Sequence, residues 1–173
     1  MTRSPRVFGV SGFSDSGKTT LIESLIPVLC RKGYRVATVK SSRENVLPPV
    51  GSDTYRHLKA GSHMAVLLGP STTTVSFCVR RPLAELLSAD IDFILIEGMK
   101  KSAIPKVWCV SDDDGETSPV ETESIVAFVG SQGVKPHWAA TTARLLSPDQ
   151  VDEIVNMILD HAIAFSELSD HEM

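Results

Sequence analysis

The chain has 173 residues, of which 42% are hydrophobic and 22% charged, and a net charge of −4. That length accommodates one domain with a substantial core, and the acidic balance without a basic stripe gives no reason to expect a nucleic-acid partner. No apolar run approaches the roughly 20 residues a bilayer span needs, so no membrane segment is expected.

In chain order, Met1-Thr2-Arg3-Ser4-Pro5 leads into a strand, Val7-Phe8-Gly9-Val10, rather than into a signal h-region. Gly12-Phe13-Ser14-Asp15-Ser16-Gly17-Lys18-Thr19 then fits G-x-x-x-x-G-K-[ST], the phosphate-binding loop. Average residue frequencies produce that pattern by chance in about one chain in 200. Thr19 to Arg31 follows as an amphipathic helix with Leu21, Ile22, Leu25, Ile26 and Leu29 on one face. Pro27 should bend it, and Gly33 supplies the left-handed residue on which helices end. Strand, Gly-rich loop and helix form the arrangement that turns backbone N–H groups and a helix dipole toward a phosphate. An incidental Gly-rich turn is the bland alternative, and the flanking strand and helix weigh against it.

Tyr34 to Lys40 reads as a second strand, and Ser41 to Ser52, with Pro48-Pro49 and Gly51, as a loop. Asp53 to Ala60 reads as a helix. Met64–Leu68 and Thr72–Val79 read as an antiparallel pair around Gly69-Pro70-Ser71, followed by a short helix over Pro82–Leu87. Asp92 to Gly98 is a strongly apolar strand that runs into Glu97. Lys106–Val110 and Ser124–Val129 are further strands, and Asp112 to Glu116 a solvated acidic turn. Ser147, Pro148 and Gln150 form a capping-box signature for a last helix carrying Val151, Ile154, Val155, Ile158, Leu159 and Ala162. Glu167 to Met173 is a fraying acidic tail.

Alternating apolar strands and helices predict a P-loop α/β fold. It has a mainly parallel sheet, helices on both faces and a small antiparallel extension from Met64 to Val79. Residues 1–166 read as a single nucleotide-binding domain. Cys30, Cys78 and Cys109 are odd in number, far apart and set in apolar segments. They read as buried free thiols of a reducing cytosol, hence a cytoplasmic location.

In this loop Lys18 would reach the terminal phosphates and the Thr19 hydroxyl would bind Mg²⁺. Such a site needs an acid at a neighbouring strand end. Glu97 is the first candidate, and Asp53, after the Pro48-Pro49 loop, is the second. Asp92 starts its strand and reads as a turn residue. Arg56 either pairs with Asp53 at i,i+3 or meets a phosphate. His57 and His63 lack an acidic or Cys partner at zinc spacing. Lys100, Lys101 and Lys106 form either a solvated basic turn or contacts to an anion or a partner. The guanine-reading Asn/Thr-Lys-x-Asp is absent, and Gly130-Ser131-Gln132-Gly133 is the remaining loop for a base. These residues therefore leave GTP and ATP open.

Several segments in order carry a resemblance. They are Val10-Ser11-Gly12 through Thr19-Thr20-Leu21-Ile22-Glu23, Leu25-Ile26-Pro27, Gly33-Tyr34-Arg35-Val36 with Val39-Lys40, Gly51 to His57 with Ala60-Gly61, and Asp92 through Glu97-Gly98-Met99-Lys100 to Ile104-Pro105-Lys106-Val107. Together they resemble the molybdopterin-guanine dinucleotide biosynthesis protein B (MobB) family over most of residues 6–130. The resemblance implies a GTP-binding, weakly GTP-hydrolysing adaptor in molybdenum cofactor biosynthesis. Its implied partner is the molybdopterin guanylyltransferase that joins GMP to the molybdopterin cofactor, and a homodimer through extra strands is implied as well. The implied nucleotide-binding residues are Gly12 to Thr19 with Thr20, Lys18 and Glu97 serve the chemistry, and Thr19, Glu97 and Asp53 serve Mg²⁺. Where the family tends to carry a His-rich segment after the strand-two lysine, this chain has Ser41-Ser42-Arg43-Glu44-Asn45. The rival from another class is a P-loop small-molecule kinase or ATP-dependent ligase, and a third reading is a nucleotide-binding regulator without catalysis.

Overall fold

The computed structural model describes residues 4–87, 90–111, 118, 120, 122–130, 133, 135–139 and 143–168. It forms two compact units, one of residues 1–41 with 88–173 and one of residues 42–87. The first unit opens with β1 (Arg6–Gly12), α1 (Lys18–Arg31) and β2 (Val36–Lys40). The second comprises α2 (Asp53–Lys59), β3 (Met64–Leu68), β4 (Thr73–Phe77) and the short α3 (Leu83–Leu86). The chain returns to the first unit with β5 (Phe93–Glu97), β6 (Lys106–Cys109), β7 (Ile125–Val129), β8 (Leu145–Leu146), α4 (Val151–His161) and β9 (Ile163–Ala164).

The main sheet runs β2-β5-β1-β6-β7-β8 with every one of these pairs parallel. β9 adds antiparallel pairing to the start of β1. The four apolar residues of β5 are all buried, as expected of a central parallel strand covered on both faces. Period-two geometry sends Phe8, Val10, Phe93, Leu95, Val107 and Cys109 to one face, where they meet α1 and α4 in the core. Val7, Ile94, Ile96 and Trp108 are buried on the other.

α1 buries Leu21, Ile22, Leu25, Val28 and Leu29, keeps Pro27 inside, and ends at Lys32 before Gly33 at φ 90°. α4 buries Ile154, Val155, Met157 and Ile158 and packs against α1. Arg6 closes the carboxyl end of α4, its guanidinium donating to the carbonyls of Leu159 (2.7 Å) and Ala162 (2.8 Å).

Some expectations shift. The last helix starts at Val151, after the predicted Pro148. Gln150 Oε1 does accept the Ser147 N–H at 2.8 Å. The Ser147 hydroxyl serves the Asp149 carboxyl instead of a helical N–H, which holds that carboxyl below its usual range. Only Cys109 is a buried thiol. Cys30 and Cys78 are exposed, Cys30 on the outer side of α1 and Cys78 just past β4. Lys106 is no solvated turn residue, because its whole side chain is buried. The acidic turn 112–116, residues 131 and 132 of the late loop, and 169–173 of the tail lie outside the described residues. Among the described residues, no helix is long and apolar enough to cross a membrane.

In the second unit, Ser52 caps α2 by accepting the Tyr55 N–H at 3.3 Å. β3 and β4 pair antiparallel from Met64↔Phe77 to Leu68↔Thr73, and the Gly69 N–H closes the turn on Thr72 O at 2.8 Å. Only Ala65 of this hairpin is buried.

Candidate nucleotide-binding site

After β1 the chain passes through α1 to β2 on one side of the sheet, and later, from β5, to β6 on the other. β1 therefore lies where the winding direction changes, and the crevice beyond its carboxyl end is where open α/β sheets bind ligands. The predicted loop occupies that place. Gly12 has φ 145°, and a Cβ there would come within 2.5 Å of Cys109 O and 2.6 Å of the Ser16 hydroxyl. Asp15 (φ 58°) and Gly17 (φ 79°) add two left-handed turns. Such alternation rolls successive N–H groups toward one concavity, a nest for anions. Gly17 leads into α1 without a side-chain cap, so the helix presents unpaired N–H groups at the same point.

Within the loop, the Ser16 hydroxyl donates to Phe13 O at 2.9 Å. The Lys18 amine folds back onto the same carbonyl, with Ser16 Oγ 3.4 Å away. Ser14 and Asp15 are exposed on the loop, as are Thr19 and Thr20 on the first helical turn.

Strand register brings the acid to this end of the sheet. Val10 and Lys40 both lie opposite Glu97. The turn after Glu97 is held by Ser11 Oγ donating to Gly98 O (2.6 Å), Gly98 N–H to Val10 O (3.0 Å) and Ser41 N–H to Glu97 O (3.0 Å). Glu97 Oε1 accepts the Thr19 hydroxyl at 3.0 Å and pairs with the Lys40 amine at 2.9 Å. Thr19 and Glu97 are hard oxygen donors, and an ammonium already rests on the carboxylate. A Mg²⁺ ion therefore fits the chemistry of the pair. Among the described residues, no three His, Cys, Asp or Glu side chains converge, so further ligands would have to be phosphate oxygens and water.

Asp53 belongs to the second unit, where it opens α2 and pairs with Arg56 at 3.8 Å. The cluster of Thr19, Glu97 and Lys40 forms from the first unit alone. Asp92 is the turn residue expected, accepting the Arg35 N–H at 2.8 Å. His63 lies 3.9 Å from the Cys78 sulfur.

Three lysines take roles that the sequence did not assign to them. Lys40 was read only as a strand end. Lys106 is buried and its ammonium donates to Lys100 O (3.1 Å), Ser102 O and Ser102 Oγ (3.3 Å), fastening the loop that follows Glu97. A lysine opening an otherwise apolar strand right after Pro105 was the available signal. Lys100 places its amine 4.0 Å over the Phe13 ring of the phosphate loop, and Phe13 meets Trp108 edge-on at 5.8 Å.

A parallel sheet carrying this loop at its switch point, with Lys18, Thr19 and Glu97 gathered there, defines a P-loop α/β protein. The family described as "MobB: Molybdopterin guanine dinucleotide synthesis protein B" matches residues 7–131, and the chain belongs to it. The chain is 41% identical over 119 residues to a putative molybdopterin-guanine dinucleotide biosynthesis adapter protein of Methanocaldococcus jannaschii, covering 64% of this chain and 49% of that protein. It thus spans about half the length of that relative. Identity to the molybdopterin-guanine dinucleotide biosynthesis adapter protein of Haemophilus influenzae is 34% over 128 residues, covering 70% of this chain and 72% of the relative. Among solved structures, Bacillus subtilis MobB superposes with a TM-score of 0.64 at 23% identity, over 91% of this chain and 98% of the other. A MobB homolog from Bacillus stearothermophilus gives 0.60 at 23% identity, over 92% and 97%. At that identity the structures establish the fold.

Proposed function

We propose that this chain is a GTP-binding, slowly GTP-hydrolysing adapter of molybdopterin guanine dinucleotide biosynthesis that assists attachment of GMP to molybdopterin. The observation that carries the reading is the Gly12–Thr19 loop at the sheet's switch point with Thr19 hydrogen-bonded to Glu97. Family membership and the adapter function in the relatives' names support the pathway.

The loop N–H groups and the amino end of α1 would hold the β- and γ-phosphates of the nucleotide, with Gly12 to Thr20 around them. Lys18 would exchange its bond to Phe13 O for terminal phosphate oxygens. Thr19 and Glu97 would hold Mg²⁺, with phosphate oxygens and water as its other ligands, and the ion when bound would neutralise charge on the nucleotide phosphates. Within the described Thr19–Glu97–Lys40 cluster no arginine and no water-orienting glutamine is present, so turnover should be slow. P-loop GTPases lacking an activating arginine run on the order of 10⁻⁴ s⁻¹. Slow hydrolysis suits an adapter better than a metabolic enzyme.

The partner on this reading is a molybdopterin guanylyltransferase, with molybdopterin nearby, in the cytoplasm. Homodimerisation is supported by the open hairpin, where Leu67 is 58% and Leu68 76% exposed. Residues 1–166 would act as one nucleotide-binding domain.

Calorimetric titration with GTP, ATP and GDP in Mg²⁺, with and without the guanylyltransferase, tests this. Selective GTP binding that the partner strengthens is expected, and reciprocity then makes GTP strengthen the complex. Lys18→Ala should abolish nucleotide affinity with the fold intact. Equal or better ATP binding without a partner effect would sink the adapter reading in favour of a kinase or ligase.

A further inference from the structure

Lys40 and Thr19 converge on one atom. The lysine amine lies 2.9 Å from Glu97 Oε1 and the threonine hydroxyl 3.0 Å from it. The two charged partners differ sharply in exposure, with the carboxylate 12% exposed and the lysine side chain 66%. A carboxylate so nearly buried needs a cation beside it, and the lysine supplies one from solvent. Backbone bonds pin both strand ends, since Lys40 lies opposite Glu97 and the Ser41 N–H donates to Glu97 O at 3.0 Å. The amine can therefore leave only by swinging its exposed side chain, which disturbs no core.

We propose that Lys40 is a tethered stand-in for the divalent cation, neutralising Glu97 in the nucleotide-free chain and competing with the metal for it. The proposal rests on the Mg²⁺ reading above. Mg²⁺ gives up its water reluctantly and gains little from one hydroxyl and one carboxylate. Here that carboxylate already carries an ammonium, which also repels the incoming ion. A nucleotide changes the balance, because its phosphates add negative charge and oxygen ligands at the loop and can receive the displaced amine. Metal occupancy then follows nucleotide occupancy.

Mn²⁺ serves as the probe, with free ion counted by electron paramagnetic resonance on the full chain. Without nucleotide, Lys40→Met should bind Mn²⁺ on the order of three- to tenfold more tightly than the unsubstituted chain. Lys40→Arg, which keeps the charge, should bind as weakly as the unsubstituted chain. Unchanged or weaker Mn²⁺ binding in Lys40→Met overturns the proposal, the weaker result meaning that Lys40 merely props Glu97 in place. The same titration on GDP-loaded Thr19→Ala and Glu97→Gln separates the two failures. If neither weakens Mn²⁺ binding, the metal reading falls and takes the proposal with it. If both weaken it while Lys40→Met changes nothing, the competition alone is wrong. A cooperative thermal melt of the Met variant, lowered by the loss of the lysine charge yet complete well above the titration temperature, confirms that the comparison is between folded proteins.

Discussion

β5 and β3 are five-residue strands of almost the same apolar character, Phe93-Ile94-Leu95-Ile96-Glu97 and Met64-Ala65-Val66-Leu67-Leu68. Four residues of the first are buried, and only Ala65 of the second. β5 has a parallel partner on each edge, β1 and β2, while among the described residues β3 pairs only with β4, itself largely exposed. Apolar composition thus marks a strand without saying how deeply it is covered. Glu97 sits at the end of the covered strand, where Val10 and Lys40 on the neighbouring strands fix its position. The hairpin's apolar side chains, Leu67 and Leu68 among them, stay exposed.

The largest expected effect lies inside that covered strand. Leu95→Ala should cost about 2–5 kcal/mol, read as a lower denaturant midpoint with an unchanged slope. A loss below about 1 kcal/mol would mean that β5 is less enclosed than it stands here. Gly12→Ala should come next. Its Cβ would strike Cys109 O and Ser16 Oγ, at a cost of about 1–3 kcal/mol. Because the strain falls on the loop itself, GTP affinity should drop far more than stability does. Wild-type affinity in that variant would mean that the phosphates bind elsewhere.

The contrasting change is Leu67→Ser in β3. Exposed at 58%, it should shift unfolding by no more than about 0.5 kcal/mol while shifting light-scattering mass toward monomer. A large destabilisation of the monomer would erase the difference between the strands.

The smallest effect is a pH dependence at the start of α4. The Ser147 hydroxyl, then the residue's own backbone N–H, lower the pKa of Asp149. A depressed folded pKa gives stability that is present above the unfolded value near 3.9, approximately, and is lost as pH falls through the folded one. Asp149→Asn should therefore flatten the acid limb of a stability–pH curve and leave neutral pH almost unchanged. An unaltered limb would mean that the carboxyl makes no such contacts in solution.

Legibility followed the range of each interaction. The loop from Gly12 to Thr19, α1 with its stop at Gly33, the β3–β4 pair and the strand running into Glu97 were all readable. Each is written in consecutive residues whose backbone preferences or periodicity suffice. Thr19 and Glu97 were named as partners because loop and strand-end acid recur together in phosphate sites, and the fold sets them 3.0 Å apart. The last helix was read one turn early because Ser147 had a nearer partner in Asp149.

What sequence alone determined is the class of fold and the glycine-rich loop from Gly12 to Thr19, since both follow from local spacing and from strands too apolar to remain in water. Tertiary structure decided the rest. Lys40 meets Glu97 across 57 residues of chain, through the register of two parallel strands that composition does not encode. Lys106 is buried because three oxygens of the preceding loop fold over its ammonium. Cys30 and Cys78 are exposed because, among the described residues, α1 turns its buried face of Leu21, Leu25 and Leu29 to the core and Cys78 follows a largely exposed strand. Each depends on which surfaces meet after the sheet has assembled, a matter of packing that residue order constrains only as a whole.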